Sequence, residues 1–286
     1  MFETYEVARF LGLKVALYRF ALGSAEWLYT SATRDVTRDG KTYLRADGVS
    51  HGALRESGSS SAKNQVTITL PYRLDPSAAD LPATQPLGDV FWPWAPTGRV
   101  LVTVMTTHLG DVDEEVVVEW MGRAVAPKFD GSKLELVCDA SYRAAGVSGD
   151  VRRIQRACDV RIYSQGTGRC NLDPEAHKIE ATLTAVSGLQ LTAAEFAAAP
   201  RNLAGGFVEW TRTGGLLERR TIWGHSDDTI TVNYFGPELD AGLAVVAYPG
   251  CAHNYAACQD YGNGANYPGW RDLPTTEPMA RSQAWG

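Results

Sequence analysis

The sequence predicts a mainly β protein, with an N-terminal β-barrel or sandwich followed by a second β-rich domain. Several stretches alternate apolar and polar residues with the period of a strand. Short Gly-containing pairs of hairpin type stand between them. The composition agrees, because 28 Gly and 14 Pro in 286 residues imply many turns.

Taken in order, LKVALYRFAL (13–22) and AEWLYTSA (25–32) read as strands parted by a Gly-Ser break. VTRDGKTYLRA (36–46) places Asp39-Gly40 between two short runs, a hairpin signal. NQVTITLPYRL (64–74) sends Val66, Ile68 and Leu70 to one face and Thr67 and Thr69 to the other. VLVTVMTTHL (100–109), VVVEWMGRAVAPKF (116–129) and SKLELVCDASY (132–142) continue the pattern, with Asp130-Gly131 as a further turn. The character changes over 143–170, which holds small residues, the arginines Arg152, Arg153 and Arg156, and two cysteines. HKIEATLTAVSGLQLTA (177–193), FVEWTRTGGLLERRTIWGHSDDTITVNYF (207–235) and LAVVAYPG (243–250) then read as strands again, with an irregular tail at the end. The division that follows is a β-rich domain over 1–145, a linker over 146–176 carrying the first cysteine pair, and a β-rich domain over 177–286 carrying the second.

A net charge of −6 argues against wrapping nucleic acid, which calls for a basic footprint. Glu3, Glu6 and Arg9 interrupt the N-terminal apolar run, so it is read as neither a signal peptide nor a membrane span. Folding in a reducing cytosol is expected, where disulfides rarely persist.

Three constellations read as turns or loops. GVSHG (48–52) has the letters of a nucleophile elbow. It lacks the buried strand before and the helix after that expose such a serine, and His51 is too close to Ser50 to act as its base. GDVDEE (110–115) lacks the spacing of a calcium loop, and HSDD (225–228) is a turn between strands. Cys138 lies in the alternating stretch LELVCDA and reads as a core residue.

The other four cysteines form two pairs. Eleven residues separate Cys158 from Cys170, six separate Cys251 from Cys258, and eighty lie between the pairs. Structural zinc sites usually use tighter knuckles. Iron–sulfur clusters also take four thiolates, with wider variation in spacing. Gly166, Gly168, Gly250, Gly262 and Gly264 would let backbone amides approach the sulfurs. On spacing alone, buried thiols and a four-cysteine metal site both stand.

A resemblance narrows the choice. Pro249-Gly250-Cys251 is followed after six residues by Cys258 and then by the segment from Asn263 to Trp270. Upstream stand Arg156-Ala157-Cys158 and Cys170-Asn171-Leu172-Asp173. This order resembles the C-terminal domain of tail-tip hub proteins of long-tailed phages and gene transfer agents. It is also similar to the lambdoid minor tail protein that binds a [4Fe–4S] cluster. The likeness covers about 150–275, and this chain has Tyr-Pro-Gly-Trp at 267–270 where the family's ending is richer in Phe-Gly.

The resemblance implies a structural, non-enzymatic virion protein, a hub ring at the tail tip assembled in the host cytoplasm. Its expected cofactor is a [4Fe–4S] cluster on Cys158, Cys170, Cys251 and Cys258. Expected partners are a distal tail protein, a central fibre or baseplate hub protein and a tape measure protein. A homotrimeric ring is expected, with DNA passing through its channel without specific contacts. The alternatives are a tail-associated cysteine peptidase, a zinc-stapled structural protein, or a carbohydrate-binding module suggested by the aromatic tail. Against the peptidase, His253 is only two residues from Cys251 and no separate Cys–His pair stands out.

Overall fold

The computed structural model describes residues 2–7, 12–54, 65–141 and 154–274. Arg152 and Arg153, the first part of the expected linker, most of the Ser-rich stretch after Ala53, and the chain beyond Pro274 lie outside the described residues. The chain divides into two compact units, Met1–Ser148 and Gly149–Gly286.

In the first unit a short helix, α1 (Phe2–Glu6), precedes nine strands. These are β1 (Lys14–Leu22), β2 (Ala25–Thr30), β3 (Val36–Arg38), β4 (Lys41–Arg45), β5 (Ser50–His51), β6 (Gln65–Pro71), β7 (Leu101–His108), β8 (Val116–Asp130) and β9 (Lys133–Ala140). A four-residue helix, α2 (Gln85–Gly88), lies between β6 and β7. The strands form one sheet in the order β3-β4-β2-β1-β7-β8-β9-β6-β5. Of the barrel and sandwich expected from sequence, the chain contains a half-barrel.

The period-two patterns place the core. Val66 faces Cys138, Ile68 faces Leu136, and Leu70 faces Leu134 across the β6–β9 ladder. All six side chains are buried, so each pair contributes apolar surface to one face. Burial pushes the Cys138 thiol up to about 12, consistent with a small apolar core residue. At the Asp39-Gly40 turn both residues have positive φ, 50° and 71°, and Arg38 pairs with Lys41. Two left-handed residues are what a two-residue hairpin matching strand twist requires. GVSHG is no elbow: Ser50 and His51 form the short edge strand β5, and His51 Nδ1 lies 2.7 Å from the Tyr18 hydroxyl. Asp111 of GDVDEE turns its carboxylate onto the amides of Asp113 and Glu115, which closes a loop.

The second unit contains β10 (Ile179–Thr182), β11 (Ala185–Ser187), β12 (Gln190–Thr192), the short helix α3 (Ala194–Ala197), β13 (Phe207–Thr211), β14 (Leu217–Ser226), β15 (Thr229–Val232) and β16 (Ala244–Tyr248). Its seven-stranded sheet runs β10-β16-β13-β14-β15-β12-β11. The long stretch 177–193 is thus three short strands, broken where Thr184 and Gly188 turn the chain. Leu191, Phe196, Val208, Ile222, Ile230 and Val232 are fully buried. Charged side chains share this interior. Glu218 takes 2.9 Å and 3.4 Å ion pairs from Arg220 and Arg212, and all three are at least nine-tenths buried. Burial raises the Glu218 carboxyl in spite of both arginines.

A helix, α4 (Tyr255–Asp260), follows β16. The Asn254 side chain caps it by accepting from the Ala257 amide at 2.8 Å. Among the described residues no helix is long and apolar enough to cross a membrane.

Candidate metal centre: a four-cysteine chamber

Cys158, Cys170, Cys251 and Cys258 all line one small cavity of the second unit. They arrive on three separate pieces of chain: the segment before β10, the turn after β16, and α4. Apolar side chains of Val160, Ile162 and Leu172 and the rings of Tyr261 and Tyr267 share the walls with His253, Asn254, Asn263 and Asn266.

Backbone hydrogen bonds bring these pieces together. The Cys158 amide donates to the His253 carbonyl at 2.7 Å, fastening the first cysteine to the turn that carries the third. The Trp270 amide donates to the Gln155 carbonyl at 2.9 Å, and the Tyr267 hydroxyl donates to the Arg156 carbonyl. Asn263 is the central link. It is 7 % exposed, and its side-chain nitrogen donates to the Cys170 carbonyl at 2.6 Å and lies 3.7 Å from the Cys170 sulfur. Its backbone amide donates to the Cys258 carbonyl, and its side-chain oxygen accepts from Asn266. One asparagine therefore connects the second and fourth cysteines.

Close backbone approach fixes the third. A Cβ on Gly250 would collide with the Ala204 carbonyl, and one on Gly206 with the Tyr248 carbonyl. Only glycine lets these two backbones pass so near. The Tyr261 hydroxyl donates to the Gly250 carbonyl at 2.8 Å, and the Tyr163 hydroxyl to the Pro249 carbonyl at 3.0 Å. His253 and Asn171, each beside a cysteine, take left-handed backbone angles of 55° and 57°.

The chemistry of the site is set by thiols in partly dry surroundings. The Cys258 thiol donates to the Asn263 carbonyl at 3.2 Å, and the Cys251 sulfur accepts from the His253 amide at 3.4 Å. Burial, reinforced by Cys170, Cys251 and Cys158, pushes the Cys258 thiol up to about 11. Burial likewise raises Cys158, with the neighbouring thiols adding to the shift. A nucleophilic cysteine needs the opposite shift. Four thiolates can share such a chamber only if a cation offsets their repulsion.

The donor set fits an iron–sulfur cluster in ligand type, number and apolar wall. Among the described residues, no three His, Cys, Asp or Glu side chains are gathered tightly enough to hold a single ion. All four thiols nonetheless line one cavity. Four thiolates are a donor set that structural zinc and iron–sulfur clusters share.

The remaining cysteine, Cys138, belongs to the first unit and takes no part. Asn263 heads the segment that carried the resemblance, but its role as a link between cysteines was not read from the sequence, and neither was the α4 helix. The capping pattern at Asn254, an asparagine directly before Tyr-Ala-Ala-Cys, was the available signal.

Two levels of likeness can now be set beside this geometry. Residues 201–277 match the family described as Phage conserved hypothetical protein BR0599, a span that includes Cys251 and Cys258. The whole chain has the fold of a chain from the virion of a native gene transfer agent particle, with a TM-score of 0.75 over 99 % of this chain and 96 % of that one. Identity to it is 15 %, so the likeness is one of fold. An uncharacterized protein of Xylella fastidiosa (strain 9a5c) is 32 % identical over 233 residues, 77 % of this chain. The chain spans about half the length of that curated relative, 47 % of it.

Proposed function

We propose that the protein is a structural component of a phage-type virion, a hub subunit of the tail tip whose second unit is held together by a [4Fe–4S] cluster. The observation that carries the reading is the meeting of four cysteines from three chain segments in one chamber. The phage-family match and the fold likeness to a gene transfer agent virion chain support the setting. Cys158, Cys170, Cys251 and Cys258 would each give one thiolate. The bound group would supply the positive charge that lets all four ionise together, and with it a clip between distant pieces of chain. In this reading the first unit builds a trimeric ring between a distal tail protein and a central fibre or baseplate hub protein, next to the tape measure protein. Such ring contacts are heterologous and close by rotation. The acidic balance would keep passing DNA from adhering. The role is structural rather than enzymatic.

The test is metal and sulfide analysis of full-length protein purified without oxygen, combined with native mass spectrometry. About four iron and four sulfide per chain, a brown absorbance band and a mass of three chains are expected. Each of the four single Cys→Ala changes should abolish iron binding alike. Stoichiometric zinc or no metal would overturn the cluster, and a monomer at assembly concentrations would overturn the ring.

A further inference from the structure

Three clefts adjoin the walls of the four-cysteine chamber, and they differ in what they reach. One meets the wall at Tyr267 and another at Ile162, and neither is lined by a cysteine. The third lies between the turn at 200–204 and the segment 250–261, and Cys251 lines both it and the chamber. Tyr261 is shared in the same way and forms the partition between the two spaces. That partition is braced from outside. The Arg201 guanidinium sits 4.4 Å from the Tyr261 ring centre, and its Nη2 donates to the Asp260 carbonyl at 2.6 Å. Small residues, Gly250, Ala252 and Ala257, are part of the lining of this cleft and give it a low wall there.

Resting on the four-cysteine reading above, we propose that this cleft is the port through which the chamber is loaded and lost, with Cys251 as the threshold ligand. All four cysteines are half-buried, but of the four Cys251 alone lines one of the three clefts as well as the chamber. A thiol-ligated metal carrier seated in this cleft meets Cys251 first. Cys251 gives its proton to water, its sulfur takes the coordination position of one carrier thiolate, and that thiolate leaves and is reprotonated from solvent. No net oxidation or reduction is involved. Loss runs the same exchange in reverse, so Cys251 is also the first ligand exposed to soluble thiols.

The experiment follows N-ethylmaleimide labelling of the full-length protein by peptide mass mapping, both as purified without oxygen and after metal removal by chelator. Cys251 should label roughly ten-fold faster than Cys158, Cys170 and Cys258 in both states, since reactivity follows access as well as thiolate character. Filling the low wall by Ala252→Phe or, independently, Ala257→Phe should slow Cys251 about ten-fold and leave the order of the other three unchanged. Equal or faster labelling of another chamber cysteine overturns the port. So does an unchanged Cys251 rate in both filled variants when their circular dichroism matches the parent. Iron content measured on the same samples reads the cluster separately, so a colourless protein with Cys251 labelled first leaves the port standing and removes its cargo.

Discussion

The nine-stranded sheet of the first unit and the cysteine region of the second solve the same problem with different materials. In β6 and β9 every second residue is apolar, and three facing pairs bury six side chains without a polar partner among them. The cysteine region has little of this. No residue of α4 is buried, and over 154–176 only Val160 and Ile162 are buried apolar residues. Its order comes from directed bonds: amides onto carbonyls, tyrosine hydroxyls onto backbone, and Asn263 between two cysteines. Apolar burial is non-directional and spread over many atoms, so it tolerates small losses. A network of directed bonds around four thiols fails at single points.

That contrast can be broken first at the proposed metal centre. With a cluster held as proposed, removing it by chelation, or changing any of the four cysteines to Ser, should lower the stability of the second unit by on the order of 4–5 kcal/mol, the scale for opening a closed loop of roughly 100 residues. Differential scanning calorimetry should show the transition of the second unit moving and that of the first staying in place. A comparable loss, about 3–5 kcal/mol, is expected from Glu218→Gln, which strips Arg212 and Arg220 of their buried carboxylate. Urea melts read by Trp210 fluorescence would measure it. In the first unit, Leu136→Ala should cost about 2–5 kcal/mol through cavity formation, without altering metal content. Asn263→Ala is expected to cost about 1–3 kcal/mol, by leaving the Cys170 carbonyl without its donor. It should also speed chelator extraction of the metal, a readout that simple loss of packing would not share.

The smallest effect is electrostatic. Burial lowers the pKa of His51 below its ordinary 6.5. The unfolded chain therefore takes up this proton at higher pH than the folded one. The stability contributed by neutral His51 is present above about 6.5 and is lost as pH falls from there through the lower folded value. Comparing thermal melts of the parent and His51→Asn between pH 7.5 and 5 should show a shallower decline in the variant.

The strands were legible because burial on one face writes a period of two into the sequence, and the Asp39-Gly40 turn because its left-handed angles restrict residue choice. The split of 177–193 into three strands was not, since Thr184 carries no strong turn signal. Glu218 and Arg220 defeat the pattern from the other side, being inward-facing positions filled by charge. The four cysteines could be grouped by resemblance, but their spacing alone left burial open. α4 escaped because six residues are too few to show helical periodicity, and the linking role of Asn263 escaped because a side chain joining residues 93 positions apart leaves no local trace.

The crossing of Gly206 and Gly250 bears on how this motif could be moved between proteins. The stretch Pro249–Cys258 looks like a self-contained cassette, a short string that could be spliced into another scaffold. Its third cysteine, however, is placed by a backbone pressed against the turn at 204–206, with no side chain between them. A graft carrying only the cysteine string would leave behind the surface against which it is moulded. The transplantable unit is the pair of turns together, and an exchange between relatives should cut the chain before Asn202 rather than before Pro249.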